Sequence, residues 1–98
     1  MKALHYAGCE LITSEAVADA LLDFVVTLPL NAPPERVTIP ALRDGHPVVA
    51  RLLVTALTPM LVTSIGMPNV PLEGEEHAVD VLRHKAQRLD SVGYELRW

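Results

Sequence analysis

Residues 37–65 read VTIPALRDGHPVVARLLVTALTPMLVTSI, a largely apolar run broken by one turn signal, Asp44-Gly45, with Arg51 the single charge in its second half. A stretch of about 18 apolar residues reaches the lower limit for a membrane-spanning helix, so residues 48–65 must first be weighed as one. Pro59 falls inside them, no Lys/Arg cluster flanks them, and Val48, Val49, Val54, Thr55, Thr58, Val62, Thr63 and Ile65 are β-branched. Stiff β-branched side chains suit a pleated surface better than a helix. The run therefore predicts two buried strands parted at Thr58-Pro59, and no membrane association.

Period two resolves the strands further. Val37, Ile39 and Ala41 alternate with Arg36, Thr38 and Pro40, giving one apolar side, and Pro40 marks an edge or a bulge because proline offers no ladder donor. Asp44-Gly45 supplies the positive φ angles of a tight hairpin. In the partner strand both alternating sets, Val48/Ala50/Leu52/Val54/Ala56 and Val49/Arg51/Leu53/Thr55/Leu57, are mostly apolar. Such a strand is expected in the middle of a sheet, covered on both sides, within a three-strand meander.

The remaining elements follow. Residues 3–6 and 10–13 read as a short hairpin around Ala7-Gly8-Cys9. Thr13 or Ser14 caps a helix that Pro29 stops near Leu28. A second helix spans about residues 74–91, with Glu73, Glu75, Glu76 and Asp80 at its start and Arg83, Lys85 and Arg88 later, the polarity a helix dipole favours. Val92, Tyr94, Leu96 and Trp98 alternate with Gly93, Glu95 and Arg97, predicting a half-buried closing strand. The sum is a single α+β domain over residues 1–98, ordered β-β-α-β-β-β-α-β: a two-layer sandwich with a mostly antiparallel sheet of five to six strands and two helices.

In the first helix Val17, Ala18, Leu21, Leu22, Phe24, Val25, Val26 and Leu28 fill an arc of roughly 200°, about twice the stripe an ordinary surface helix buries. One sheet face cannot cover it. The surplus predicts a homodimer, with Leu22 and Val26 on the helix and Val49 and Leu53 on the sheet as its interface.

Composition narrows function by exclusion. A formal net charge of −4 with eight Lys and Arg gives no basic footprint for nucleic acid. One cysteine permits neither an internal disulfide nor a cysteine metal framework, and the N-terminal residues lack a long apolar segment, so the chain reads as cytoplasmic. The glycines are scattered singly, without a phosphate-binding pattern. Glu15, Asp19 and Asp23 form a solvated helix face with no ligand loop, and His77 and His84 lie about 10 Å apart along a helix, so no metal and no cofactor is expected.

Two kinds of site remain. The loop Gly66-Met67-Pro68-Asn69-Val70-Pro71 is apolar and stiffened by prolines; with Met60 beneath it, Met60, Met67 and Asn69 are expected to line a small-ligand pocket. Cys9 behind Gly8, with His5 or His46 as base, would make a thiol nucleophile, although cysteine in a small domain is more often a buried apolar filler. The favoured function is a homodimerising protein-interaction or small-ligand-binding module. The alternative is a small enzyme using Cys9.

Overall fold

The structure, a computed structural model, describes residues 1–95, with side chains through Arg88. Its elements are β1 (Lys2–Tyr6), β2 (Cys9–Thr13), α1 (Glu15–Val26), β3 (Glu35–Arg43), β4 (His46–Val54), β5 (Met60–Ser64) and α2 (Glu75–Glu95). The strands form one antiparallel sheet in the order β4-β3-β2-β1-β5, and the class is α+β. Among the described residues no helix is long and apolar enough to cross a membrane, and the apolar run folds as β3, β4 and β5.

Local chemistry explains most boundaries. Both hairpin turns place two successive residues at positive φ, Ala7 (50°) with Gly8 (79°) and Asp44 (52°) with Gly45 (79°), the backbone that matches strand twist. Ser14 caps α1 by accepting a hydrogen bond from the Val17 N–H at 3.1 Å, and Glu15 lies in the first turn beside the positive end of the helix dipole. The helix ends at Val26, two residues before the expected stop at Leu28, where the Thr27 hydroxyl donates to the Phe24 carbonyl at 2.6 Å.

Three expectations are corrected. The first is the meander: β5 pairs with β1 along its whole length, with Lys2 opposite Ser64 and Tyr6 opposite Met60, and makes no ladder with β4. β4 is consequently an edge strand, and Val49 and Leu53 on its outer face are exposed rather than covered. The second is the closing strand: α2 continues through Glu95, where alternation from Val92 predicts extended chain, and the rest of that segment, residues 96–98 including Trp98, lies outside the described residues. The third concerns the wide arc of α1. The helix α2 packs along α1 and ties to it by an Arg83–Asp23 ion pair, so the sheet is not the only cover within the chain, although Val26 stays exposed and Leu22 and Val25 half-buried.

Inward-facing side chains of β1, β2, β3 and β4 gather with α1 in one core. Leu4, Leu11, Val37, Ile39, Leu52 and Val54 gather around Val17, Leu21 and Phe24, all buried, with Leu82 of α2 completing the cluster. Met1, Leu42 and Leu72 form a smaller cluster with Ile12 and Ile65 on the outer face. The sheet is strongly curled. A flat sheet would hold β1 and β4, three positions apart, about 14 Å from each other, yet the Tyr6 hydroxyl on β1 donates to the Leu53 carbonyl on β4 at 2.6 Å.

The curl pivots where β2 leaves β3. Ile12 opposite Leu42 is the ladder pair joining them, and Ser14 then turns the chain into α1. At that exit the fully buried Thr13 donates its hydroxyl to the Pro40 carbonyl at 2.8 Å, in place of the next ladder bond. Pro40 thus occupies an interior strand without harm, since its absent N–H would face a partner that has already departed. Replacing Thr13 with Val keeps the shape and orphans that buried carbonyl. Urea unfolding of Thr13→Val should show about 1–3 kcal/mol lost, as a lower midpoint at unchanged slope; an unchanged midpoint would mean the handover is idle.

Candidate functional site

Beyond Pro40 the edge of β3 has no strand beside it, and α2 lies there instead. Its Lys85 ammonium donates to the Arg36 carbonyl at 3.3 Å and stands 3.9 Å from the Glu35 carboxylate. On α2, Ala78 and Leu82 turn into the core while His77, Val81 and Lys85, recurring every fourth residue, form the neighbouring stripe. On the sheet, alternation turns Arg36, Thr38 and Pro40 of β3 outward, and ladder register sets Val49 of β4 opposite Pro40. Between these surfaces lies a groove of about 350 Å³, lined by Arg36, Thr38, Pro40 and Val49 on one wall and by Glu73, His77, Val81 and Lys85 on the other.

The groove is mostly apolar between its ends, with Thr38 and His77 as polar residues in its walls, and charged at its ends. Arg36 and Lys85 lie together at one end, while Glu73 stands at the other beside Pro40 and Val49, where an adjoining cleft continues toward Pro47 and Leu72. Among the described residues Arg36 has no ion-pair partner, so its guanidinium is available to an acidic group. An apolar body with one anionic end matches this lining.

The sequence-predicted pocket is divided. Met60 opens β5 opposite Tyr6 and packs against the main core, whereas Met67 and Asn69 lie past the other end of the strand, where the Met67 carbonyl and the Asn69 side-chain oxygen accept from the Met1 amino group at 3.2 and 3.5 Å. Asn69 does line a separate cleft of about 610 Å³ with Ser14, Leu72 and Glu75. The interface residues are divided as well. Val49 and Leu53 are exposed on the outer sheet face, while Val26 is exposed and Leu22 half-buried on α1, which packs on the inner face.

Cys9 is free and exposed, which corrects its reading as a buried filler. It pairs across the hairpin with Tyr6, one residue from the His5–Glu10 pair, and successive strand residues point to opposite faces. His5 therefore projects away from the thiol, and it lies 3.6 Å from the Glu10 carboxylate. His46 is at the tip of the other hairpin, opposite Arg43 and exposed. Glu15 and Asp23 engage Lys2 at 3.8 Å and Arg83, and among the described residues no three His, Cys, Asp or Glu side chains converge as metal ligands.

No protein-family model matches the chain, and no curated protein or solved structure matches it significantly. The groove escapes sequence reading because its walls are distant in the chain. The available signal was the stripe His77, Val81, Lys85 beside the buried one, together with the outward set Arg36, Thr38, Pro40. Exposure of Cys9 has a direct consequence: a thiol reagent should modify it as fast in the native protein as in urea, and Cys9→Ser should shift stability by less than about 0.5 kcal/mol. Native protection of about tenfold or more would contradict this placement.

Proposed function

We propose that this chain is a non-enzymatic binding module that holds a small amphipathic anion in the groove between α2 and the outer sheet face, and that it works as a homodimer. The groove's lining carries the reading: Pro40, Val49 and Val81 offer an apolar bed, and the Arg36 guanidinium offers a cationic donor at one end, beside a Lys85 that also faces Glu35. Glu73 at the opposite end disfavours a ligand with two acidic ends. A monocarboxylate with a short apolar body fits best. Exposed Val26, Val49 and Leu53 support self-association, and an exposed free thiol suits a reducing compartment such as the cytoplasm. An enzyme built on Cys9 gains nothing from the geometry, since His5 faces away from the thiol and no hydrogen bond among the described residues links Cys9 to His46.

Octanoate is a suitable probe. In amide-resolved NMR titrations it should produce saturable shifts at Thr38, Val49 and Val81, with a Kd on the order of millimolar for so small a ligand. Arg36→Ala should raise that Kd about threefold to tenfold, the loss expected for one solvent-accessible charge-assisted contact. Shifts that do not saturate, or that ignore Arg36→Ala, would remove the anion site. Light scattering at micromolar concentration should report twice the chain mass of 10.7 kDa; a single-chain mass would remove the homodimer.

A further inference from the structure

The outer edge of β4 is an open ladder, and the identity of its unpaired groups can be worked out. In a strand the N–H and C=O of one residue point to the same side, and successive residues alternate. The Arg36 and Pro40 carbonyls point away from β4, toward Lys85 and Thr13. Val37, Ile39 and Ala41 must then bond to their partners Leu52, Ala50 and Val48. Pro47, Val49, Arg51 and Leu53 consequently aim their backbone groups at the free side, and the Tyr6 hydroxyl reaching the Leu53 carbonyl agrees with that parity. This edge carries neither a lysine nor a bulge; its protection is Pro47, the Arg51 charge and the Tyr6 hydroxyl on Leu53, and between them it displays Val49 at 70% and Leu53 at 59% exposure. The opposite edge, β5, is five residues long against nine for β4.

We infer that two copies of this chain join edge to edge through β4, antiparallel, with the two-fold axis at Ala50. The edge has one missing donor, because Pro47 has no N–H, and one acceptor already engaged, the Leu53 carbonyl held by Tyr6. An axis at Ala50 sets Pro47 opposite the partner's Leu53, so the proline ring and the Tyr6 hydroxyl, the two groups that block this edge, coincide at the ends of the ladder, where the strands part, and leave its centre free. Val49 and the partner's Arg51 exchange both of their bonds, and symmetry repeats the exchange.

Neighbouring registers are worse. An axis at Val49 sets Pro47 opposite the partner's Arg51 and leaves that arginine's carbonyl without a donor. An axis at Arg51 places two like charges directly opposite and spends the Val49 N–H on the engaged Leu53 carbonyl. An axis at Leu52 spends the Arg51 N–H in the same way. Self-complementarity thus selects a second copy of this chain over other extended partners, and it selects one register.

The pairing also alters the groove, so this inference deepens the homodimeric binding reading and rests on it. Residues opposite one another across antiparallel strands share a face about 5.5 Å apart. Arg51 of the partner subunit would stand beside Val49, at the end of the groove where Glu73 lies, and offset that carboxylate.

The register can be read by cross-linking in a Cys9→Ser background. Across an axis at Ala50 the two Ala50 Cα atoms are about 4.5 Å apart, within disulfide range. Ala50→Cys should therefore give a disulfide-linked dimer on mild oxidation, while Val49→Cys and Arg51→Cys should stay unlinked. In the unmodified protein the Val49 and Arg51 amides should exchange slowly with solvent and lose that protection on dilution to monomer. Dimer mass with linkage at Arg51→Cys, or with fast-exchanging Val49 and Arg51 amides, would overturn this inference alone. A single-chain mass would overturn it together with the homodimer, and octanoate titration of that monomer would still decide the groove.

Discussion

The Thr13 hydroxyl on the Pro40 carbonyl marks the point at which a strand ladder stops and a helix takes over. β2 has five residues and β3 has nine, so the sheet cannot continue flat past Thr13: half of β3 is left with nothing beside it. A buried strand edge with unpaired carbonyls costs as much as the lost hydrogen bonds, so something must lie along it. The helix α2 does so, giving the Lys85 ammonium to the Arg36 carbonyl and the Arg83 guanidinium to Asp23 on α1. The covered arc of α1, the groove and the curl of the sheet all follow from that substitution of a helix for a strand.

A helix is a poorer cover for a strand edge than another strand. It is about 10 Å across and meets the edge with side chains, whereas a strand would sit about 4.8 Å away and meet it with backbone. The difference in width opens space wherever the side chains are short or turned aside. Between Val81 and Val49 that space is the groove, and Lys85 at one of its ends also fastens the helix by donating to the Arg36 carbonyl. Lys85 thus both fastens the helix and lines the groove, while the Arg36 guanidinium is left free of that fastening.

Local rules were legible in the chain. Asp44-Gly45 and Ala7-Gly8 announced their hairpins, Ser14 its cap, and the β-branched run its strands, because each depends on a few adjacent residues. Neighbour choice was not legible. Nothing in residues 60–64 distinguishes pairing with β4 from pairing with β1: both put Met60 and Val62 inward, and the choice is made by the curl, which brings the end of β4 close to β1. Alternation near the C-terminus misled for another reason. A helix already nucleated adds each further residue at little cost, so it overrides a short period-two pattern through Glu95. The apolar arc of α1 is shared: the sheet and α2 cover part of it, while Val26 stays exposed and Leu22 and Val25 half-buried.

Apolar character on both faces of β4 has a different origin from central burial. Its inward set, Leu52 and Val54 with the half-buried Val48 and Ala50, packs over the core. Its outward set divides by role, since Val49 walls the groove while Leu53 lies beyond it, exposed and next to a carbonyl already capped by Tyr6. A lone monomer would gain by placing charge at both positions, as solitary edges generally do. Arg51 is the one charge the strand carries, and it sits between the two apolar residues rather than replacing either. An edge selected only against association would have been built the other way, with charge at Val49 and Leu53.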